Sequence, residues 1–257
     1  MANVLITGAS KGLGRATARE LTKRGHHVIA TARNLDALAD LEVAKRLQLD
    51  VTEAASVERA RRDAGHVDVL INNAAEIFEA PLETSPFEEV RKLYEINVFG
   101  TLRTTQAFVP AMRERRAGTV VNLSSVVGRV AFPIVGVYSS TKWAIEGLSE
   151  ALRIELARFG VNVVLIEPGM IGTGALDAPR SYLTKDDPYS PIVRQRPARE
   201  KMTSPDAVAK VIADAVENPQ QKFRWVVGAD AQGLLETRAK LDDAAFHTFL
   251  RDTANIG

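Results

Sequence analysis

Tyr138 and Lys142 stand four residues apart in the stretch Val137-Tyr138-Ser139-Ser140-Thr141-Lys142-Trp143-Ala144. On a helix this spacing stacks the two side chains on one face, with Cβ atoms about 6 Å apart. An ammonium beside a phenol can make an acid of it. A free phenol ionises near pH 10, and bringing it to about 7 takes roughly 4 kcal/mol of preferential stabilisation of the phenolate, for which a neighbouring cation has the right sign. Tyr and Lys also meet at this spacing on ordinary solvated helix faces, so the pair takes its meaning from the residues around it.

A second set of residues lies at the start of the chain. An apolar run from Val4 leads into Thr7-Gly8-Ala9-Ser10-Lys11-Gly12-Leu13-Gly14, directly before an amphipathic stretch. Glycines between a strand and a helix permit a tight turn and let the backbone approach a pyrophosphate, while the helix N-terminus offers free N–H groups and the positive end of its dipole. A Walker loop does not fit, because Lys11 precedes Gly12 and no Gly-Lys-Ser/Thr follows. The next strand ends in Ala30-Thr31-Ala32-Arg33. An NAD site calls for a carboxylate about 20 residues past the fingerprint, whereas an arginine there suits the 2′-phosphate of NADP. Arg33, with Lys11 as a second cation, therefore points to NADP(H). Asp50-Val51 follows the third strand; Asp50 either contacts the adenine or caps the helix beginning near Glu53.

These residues need a frame. The chain has 257 residues, 46% hydrophobic and 25% charged, enough for one domain spanning 1–257 with a sizeable core. Short apolar runs at Val4 to Thr7, His27 to Thr31, Arg46 to Leu49, Val67 to Ile71, Thr119 to Leu123, Val161 to Ile166 and Phe223 to Val227 alternate with helix candidates. Those candidates are Leu13 to Arg24, Leu35 to Leu41, Glu53 to Ala64, Phe87 to Arg115, Tyr138 to Phe159, Pro205 to Glu217 and Ala231 to Leu250. The alternation predicts an α/β fold: a three-layer, doubly wound parallel sheet of about seven strands, covered by helices on both faces. Ser85-Pro86 and Ser204-Pro205 suit helix starts. From Gly174 to Glu200, Pro179, Pro188, Pro191 and Pro197 interrupt a segment without periodicity, read as a structureless loop covering the substrate.

The composition narrows the chemistry. Net charge is +1 with the signs interspersed, which gives no footprint for nucleic acid or an acidic membrane. The absence of cysteine excludes disulfides, a thiolate nucleophile and Cys-based zinc sites. His26, His27, His66 and His247 show no metal-ligand spacing, so metal-free chemistry is expected. With a strand-like run from Asn3 and no apolar stretch near about 18 residues, the expectation is a cytoplasmic protein with neither signal peptide nor membrane span.

Together, the Gly8/Gly12/Gly14 loop, Asn72-Asn73-Ala74-Ala75, Asn97-Val98-Phe99-Gly100, Ser124-Ser125, Tyr138-x-x-x-Lys142 and Pro168-Gly169 resemble the single-domain short-chain dehydrogenases/reductases, from about Val4 to Thr173. Within that family the chain looks most like the branch of 17β-hydroxysteroid dehydrogenases, retinol dehydrogenases and carbonyl reductases. The resemblance implies Tyr138 as general acid/base and Lys142 as the cation that holds the nicotinamide ribose and favours the phenolate. It implies Ser125, 13 residues before Tyr138, as the substrate-orienting hydroxyl, leaving Ser124 to local backbone hydrogen bonds. Asn97 would sit in a helix and hold a water linking Lys142 to solvent. Beyond Gly8, Ser10, Lys11, Gly12, Leu13, Gly14, Arg33, Asp50 and Val51, the implied coenzyme contacts are Asn73, Ala74, Pro168, Gly169, Ile171 and Thr173. The family usually has glycine where this chain has Ala75, whose methyl group either narrows the space beside the adenosine ribose or demands an ordinary backbone angle.

Ile77, Phe78, Val126, Val127, Phe132, Met170, Ile171 and Leu176 are candidate pocket linings, or else part of the core. An apolar pocket suits a hydrophobic ketone, aldehyde or secondary alcohol, with reduction by NADPH as the working direction. Arg180, Arg194, Arg196 and Arg199 either meet an acidic substrate or belong to a solvated loop. Family members pair through their two long helices, which implies a homodimer or homotetramer burying residues such as Phe108 and Trp143, although Trp143 also suits the monomer core. The rival readings are an NAD-dependent alcohol dehydrogenase and a catalytically silent NADP-binding protein on the same scaffold.

Overall fold

The protein is described from a computed structural model covering residues 1–173, 180–184, 186–192 and 202–253. The strands are β1 (Asn3–Ile6), β2 (His27–Ala32), β3 (Lys45–Gln48), β4 (Val69–Asn72), β5 (Phe78–Glu79), β6 (Gly118–Leu123), β7 (Val161–Pro168), β8 (Arg180–Ser181) and β9 (Arg224–Val227). Seven of them form one sheet in the order β3-β2-β1-β4-β6-β7-β9, with every pair parallel. The order reverses at β1, which pairs with β2 on one side and β4 on the other. That reversal opens a crevice at the C-terminal ends of the strands, where open α/β sheets take ligands.

The helices are α1 (Gly12–Lys23), α2 (Ala54–Ala64), α3 (Phe87–Tyr94), α4 (Gly100–Glu114), α5 (Gly136–Ala157), α6 (Pro205–Glu217), α7 (Ala229–Lys240) and α8 (Asp243–Thr253). Alternate strand residues enter opposite layers, as the two-residue period of a strand requires. Val4 and Ile6 join Leu21, Val208 and Ile212 on the side of α1 and α6. Leu5, Leu70 and Val120 join Phe108, Met112 and Leu156 on the side of α4 and α5. Ser204 caps α6 by accepting from Ala207 N, with Pro205 at the first helical position.

Several boundaries differ from the sequence expectation. The expected helix Phe87 to Arg115 is interrupted by one π-helical turn, Glu95–Phe99, where Asn97 turns its amide across to another segment. Such turns mark places where a side chain is pulled out of helical register. The expected helix Ala231 to Leu250 is two helices: Leu241 is extended, and Asp242 Oδ1 starts α8 by accepting from Ala245 N. Leu35 to Leu41 shortens to a 3-10 turn at Leu35–Leu38, closed by Asn34 Oδ1 accepting from Asp36 N. The 174–200 segment is not wholly structureless, since β8 pairs in parallel with β5. Leu176, Arg194, Arg196 and Arg199 lie outside the described residues. Phe108, expected at an assembly surface, is buried inside the chain, whereas Trp143 is 52% exposed.

Candidate active site

A cavity of about 1210 Å³ runs along the C-terminal ends of the strands. Gly8, Ser10, Lys11, Gly12, Leu13, Gly14, Arg33, Asp50, Val51, Asn73 and Ala74 line one part of it. Ser125, Tyr138, Lys142, Pro168, Gly169, Ile171 and Thr173 line the other. Of the catalytic and coenzyme-binding residues expected from sequence, only Asn97 lies behind the wall.

The glycines are fixed by close approach. A Cβ on Gly14 would lie 2.4 Å from both Asn73 Nδ2 and Gly8 O, and one on Gly8, at φ +68°, would lie 2.9 Å from Ala74 Cα. Asn73 Nδ2 donates to Thr7 O at 2.9 Å and Gly8 O at 3.1 Å. Thr7 Oγ1 accepts from Asn73 N and Ala74 N, each at 3.0 Å. The turns after β1 and β4 are thereby locked together, with no room for side chains between them. Among the described residues no side chain caps the start of α1, which lies on the cavity wall, so its first-turn N–H groups are available to an anion. Arg33, 69% exposed, reaches Glu76 Oε1 at 3.5 Å. These features fit the phosphate end of a dinucleotide: a backbone cradle, a helix N-terminus and cations. Asp50 does not cap α2; its Oδ1 accepts from Thr52 N at 2.9 Å and Thr52 Oγ1 at 2.7 Å. Ala75 does not hold a positive φ, the second of the two outcomes expected there.

At the other end, α5 presents Tyr138 and Lys142 on one face, with Lys142 Nζ 5.7 Å from the Tyr138 ring centre. Lys142 is buried and donates to Leu123 O at 2.7 Å. Burial pushes the Tyr138 phenol up to about 12, against the downward pull of the Ser125 hydroxyl. Burial brings Lys142 down to about 8, against the opposing charge of Glu146. The sequence expectation of a depressed phenol thus meets the desolvation of both groups, and in the protein by itself desolvation is larger. Ser125 Oγ donates to Pro168 O at 3.2 Å and accepts from Val127 N at 3.4 Å, which joins the end of β6 to the end of β7. Ser124 departs from expectation: its hydroxyl is buried and meets no hydrogen-bond partner among the described residues.

Asn97 does something other than line the cavity. Its Oδ1 accepts from Glu76 N at 2.9 Å, and its Nδ2 donates to Glu76 O at 2.9 Å and Thr141 Oγ1 at 3.1 Å. With both amide hydrogens given to protein atoms, the side chain braces Glu76 against α5. Glu76 in turn accepts from Arg180 at 2.9 Å, and Arg180 also meets Glu89 at 2.8 Å. Arg180 is therefore committed to ion pairs across the cavity rim.

The apolar lining agrees in part with the sequence reading. Ile77, Val126, Val127, Phe132, Met170 and Ile171 face the cavity. Phe78 does not; it is buried with Ala80, Leu93 and Val137, its ring edge-on to Tyr182 at 5.6 Å. Ile134, Leu234 and Phe249 line the cavity unforeseen, the last two from helices whose position depends on the whole fold. Ile134 also holds φ +68°, a strained angle for a β-branched residue, and its carbonyl accepts from Ala80 N at 2.9 Å. Glu146 and Glu167 were likewise not foreseen. Both are buried and meet the same Arg224 Nε, at 2.9 and 3.0 Å. Burial, reinforced by Glu146, pushes Glu167 up to about 7 against the pull of Arg129 and Arg224.

Comparison with known proteins agrees with this geometry. Residues 2–182 match the short chain dehydrogenase family. Human 17-beta-hydroxysteroid dehydrogenase type 1 is 35% identical over 93% of this chain and 81% of its own. A short-chain dehydrogenase from Streptomyces avermitilis superposes with a TM-score of 0.81 at 35% identity, over 98% of each chain. A short chain dehydrogenase from Burkholderia cenocepacia, solved in complex with NADP, superposes with a TM-score of 0.82 at 29% identity, over 97% of each chain. Among the described residues no helix is long and apolar enough to cross a membrane.

Proposed function

This chain belongs to the short-chain dehydrogenase/reductase family of oxidoreductases, and from that premise we propose that it is an NADPH-dependent reductase of a hydrophobic ketone or aldehyde. The observation that carries the reading is the arrangement of one cavity: a glycine cradle with Lys11 and Arg33 at one end, and Ser125, Tyr138 and Lys142 at the other. The human relative's name makes it a hydroxysteroid dehydrogenase and the bacterial neighbour holds NADP, which supports this substrate class and coenzyme.

In this reading residues 1–257 are one coenzyme-binding domain. The backbone of Gly8, Ser10, Gly12, Leu13 and Gly14 binds the pyrophosphate, with Asn73 and Ala74 completing the wall. Arg33 and Lys11 take the 2′-phosphate, while Asp50 and Val51 flank the adenine. Pro168, Gly169, Ile171 and Thr173 hold the nicotinamide end. The bound coenzyme supplies the hydride.

Ser125 orients the carbonyl oxygen, and Tyr138 donates its phenolic proton to that oxygen. A phenol held near 12 is fully protonated at neutral pH, the form that reduction requires. Lys142 grips the ribose hydroxyls and stabilises the phenolate left behind. Asn97 is a positioning residue that acts through Glu76 and Thr141. Ile77, Val127, Phe132 and Ile134 give the substrate end an apolar wall. Trp143, Leu148 and Ile154 of α5 are exposed and suit a homodimer or homotetramer built on that helix.

The test is coenzyme oxidation against a panel of apolar ketones and aldehydes, with NADPH and NADH side by side. Turnover with NADPH well above NADH supports the reading. Turnover with NADH alone, or coenzyme binding without turnover of any carbonyl, overturns it.

A further inference from the structure

Where β7 ends, the chain runs on as Gly169-Met170-Ile171-Gly172-Thr173 along the cavity, and several backbone bonds hold this strap in place. Gly169 N donates to Val227 O at 2.9 Å, Thr203 N to Met170 O at 3.0 Å and Gly172 N to Thr203 O at 3.0 Å. The Met170 N–H is instead taken by a side chain: Asp230 Oδ2, in the first turn of α7, accepts it at 2.8 Å.

That carboxylate occupies a slot made by two glycines. A Cβ on Gly169 would lie 2.3 Å from both Asp230 oxygens, and one on Gly228, at φ +106°, would lie 2.5 Å from Oδ1 and 2.8 Å from Thr203 Oγ1. Neither position tolerates a side chain while the carboxylate is seated. Asp230 also lines the cavity, on the side of Gly169, Met170 and Ile171. At the far end of the strap, Thr173 lies next to Gly12 of the phosphate cradle, 3.7 Å from where a Cβ there would sit. The strap thus spans the two halves of the site, and Asp230 sets the end nearer the catalytic residues.

We propose that Asp230 is a positioning residue for the nicotinamide half of the coenzyme: its carboxylate, seated between Gly169 and Gly228, fixes the Met170 N–H and so the placement of Ile171 and Thr173. This rests on the coenzyme reading above. Its action is a hydrogen bond to backbone, so any acceptor of the same shape serves, whereas removal of the acceptor leaves the Met170 N–H to solvent and the strap without its tie to α7.

The test compares NADPH with 2′,5′-ADP, which carries the adenosine and 2′-phosphate and lacks the nicotinamide, by calorimetric titration of the full chain. For Asp230→Ala, NADPH affinity falls roughly tenfold or more, the scale of one charge-assisted hydrogen bond, while 2′,5′-ADP affinity stays within about twofold. That unchanged affinity also reports a folded cradle. Asp230→Asn, whose Oδ1 still accepts from Met170 N, stays within about threefold of wild type for both ligands. Gly169→Ala, which evicts the carboxylate, reproduces the alanine variant. Three results overturn the proposal: Asp230→Ala binding NADPH like wild type, Asp230→Ala losing both ligands alike, or Asp230→Asn losing as much as Asp230→Ala. Wild type that binds neither ligand overturns the coenzyme reading beneath it as well.

Discussion

Lys142 should cost this protein stability at neutral pH. The ammonium is buried, only 3% exposed, and burial brings it from 10.5 in the unfolded chain to about 8 in the fold. At about 1.4 kcal/mol per pH unit, keeping it charged at pH 7 costs the fold about 3 kcal/mol. Methionine has similar length and no charge. Lys142→Met removes that cost and loses one hydrogen bond to Leu123 O, worth about 1 kcal/mol. The variant should therefore be more stable than wild type by about 2 kcal/mol at pH 7, or about 4 to 8 °C in Tm for a chain of this size.

The pH dependence supplies the sign. A lysine depressed in the fold binds fewer protons there than in the unfolded chain between pH 8 and 10.5, so wild-type stability rises across that window. The advantage of Lys142→Met is full below pH 8, falls through zero at about pH 10 and reverses above it, where only the lost hydrogen bond of about 1 kcal/mol remains. Tyr138, held up at about 12, stays protonated in the fold across this window. Urea unfolding of both proteins at pH 7, 8, 9 and 10 measures the gap. A variant less stable than wild type at pH 7, or a gap that does not change with pH, refutes the reasoning.

Glu167 titrates in the opposite sense. Held at about 7 in the fold against 4.5 unfolded, it contributes stability that is complete below pH 4.5 and lost as pH rises through 7. Glu167→Gln should match wild type in urea unfolding near pH 4.5 and exceed it at pH 8; equal stability at both values contradicts this. Gly14→Ala should cost about 1 to 3 kcal/mol and weaken NADPH binding in a fluorescence titration, because its Cβ would meet Asn73 Nδ2 and Gly8 O at 2.4 Å. Gly147→Ala, on α5 with nothing among the described residues within 4 Å of its Cβ, should instead raise stability by about 0.5 to 1 kcal/mol with NADPH binding unchanged.

What could be read from the sequence was what short segments determine. The glycine loop, Arg33 at the end of the adjacent strand and the Tyr138/Lys142 spacing depend on local conformation and strand order, and Gly8, Gly12, Gly14, Arg33, Tyr138 and Lys142 all line the cavity. What could not be read depends on residues distant in sequence. Nothing in the sequence near Asn97 announces that its amide meets Glu76, 21 residues away, and Thr141, 44 residues away. Phe78 has the composition of a pocket residue and is buried because Tyr182, far along the chain, packs against it. The interrupted helix at Glu95–Phe99 has no glycine or proline within it to announce the break. Spacing gives the mutual approach of Tyr138 and Lys142, whereas the burial that pushes the phenol up and the ammonium down is a property of the folded whole.

The central claim is that Tyr138 gives the proton to a carbonyl reduced in this cavity. It is tested most directly by comparing Tyr138→Phe with wild type for NADPH affinity and for the rate of ketone reduction. The account predicts that Tyr138→Phe binds NADPH with wild-type affinity and loses reductase activity by about a hundredfold to ten-thousandfold, the range expected when a general acid is removed. A Tyr138→Phe enzyme that binds NADPH normally and reduces the ketone at the wild-type rate would contradict it.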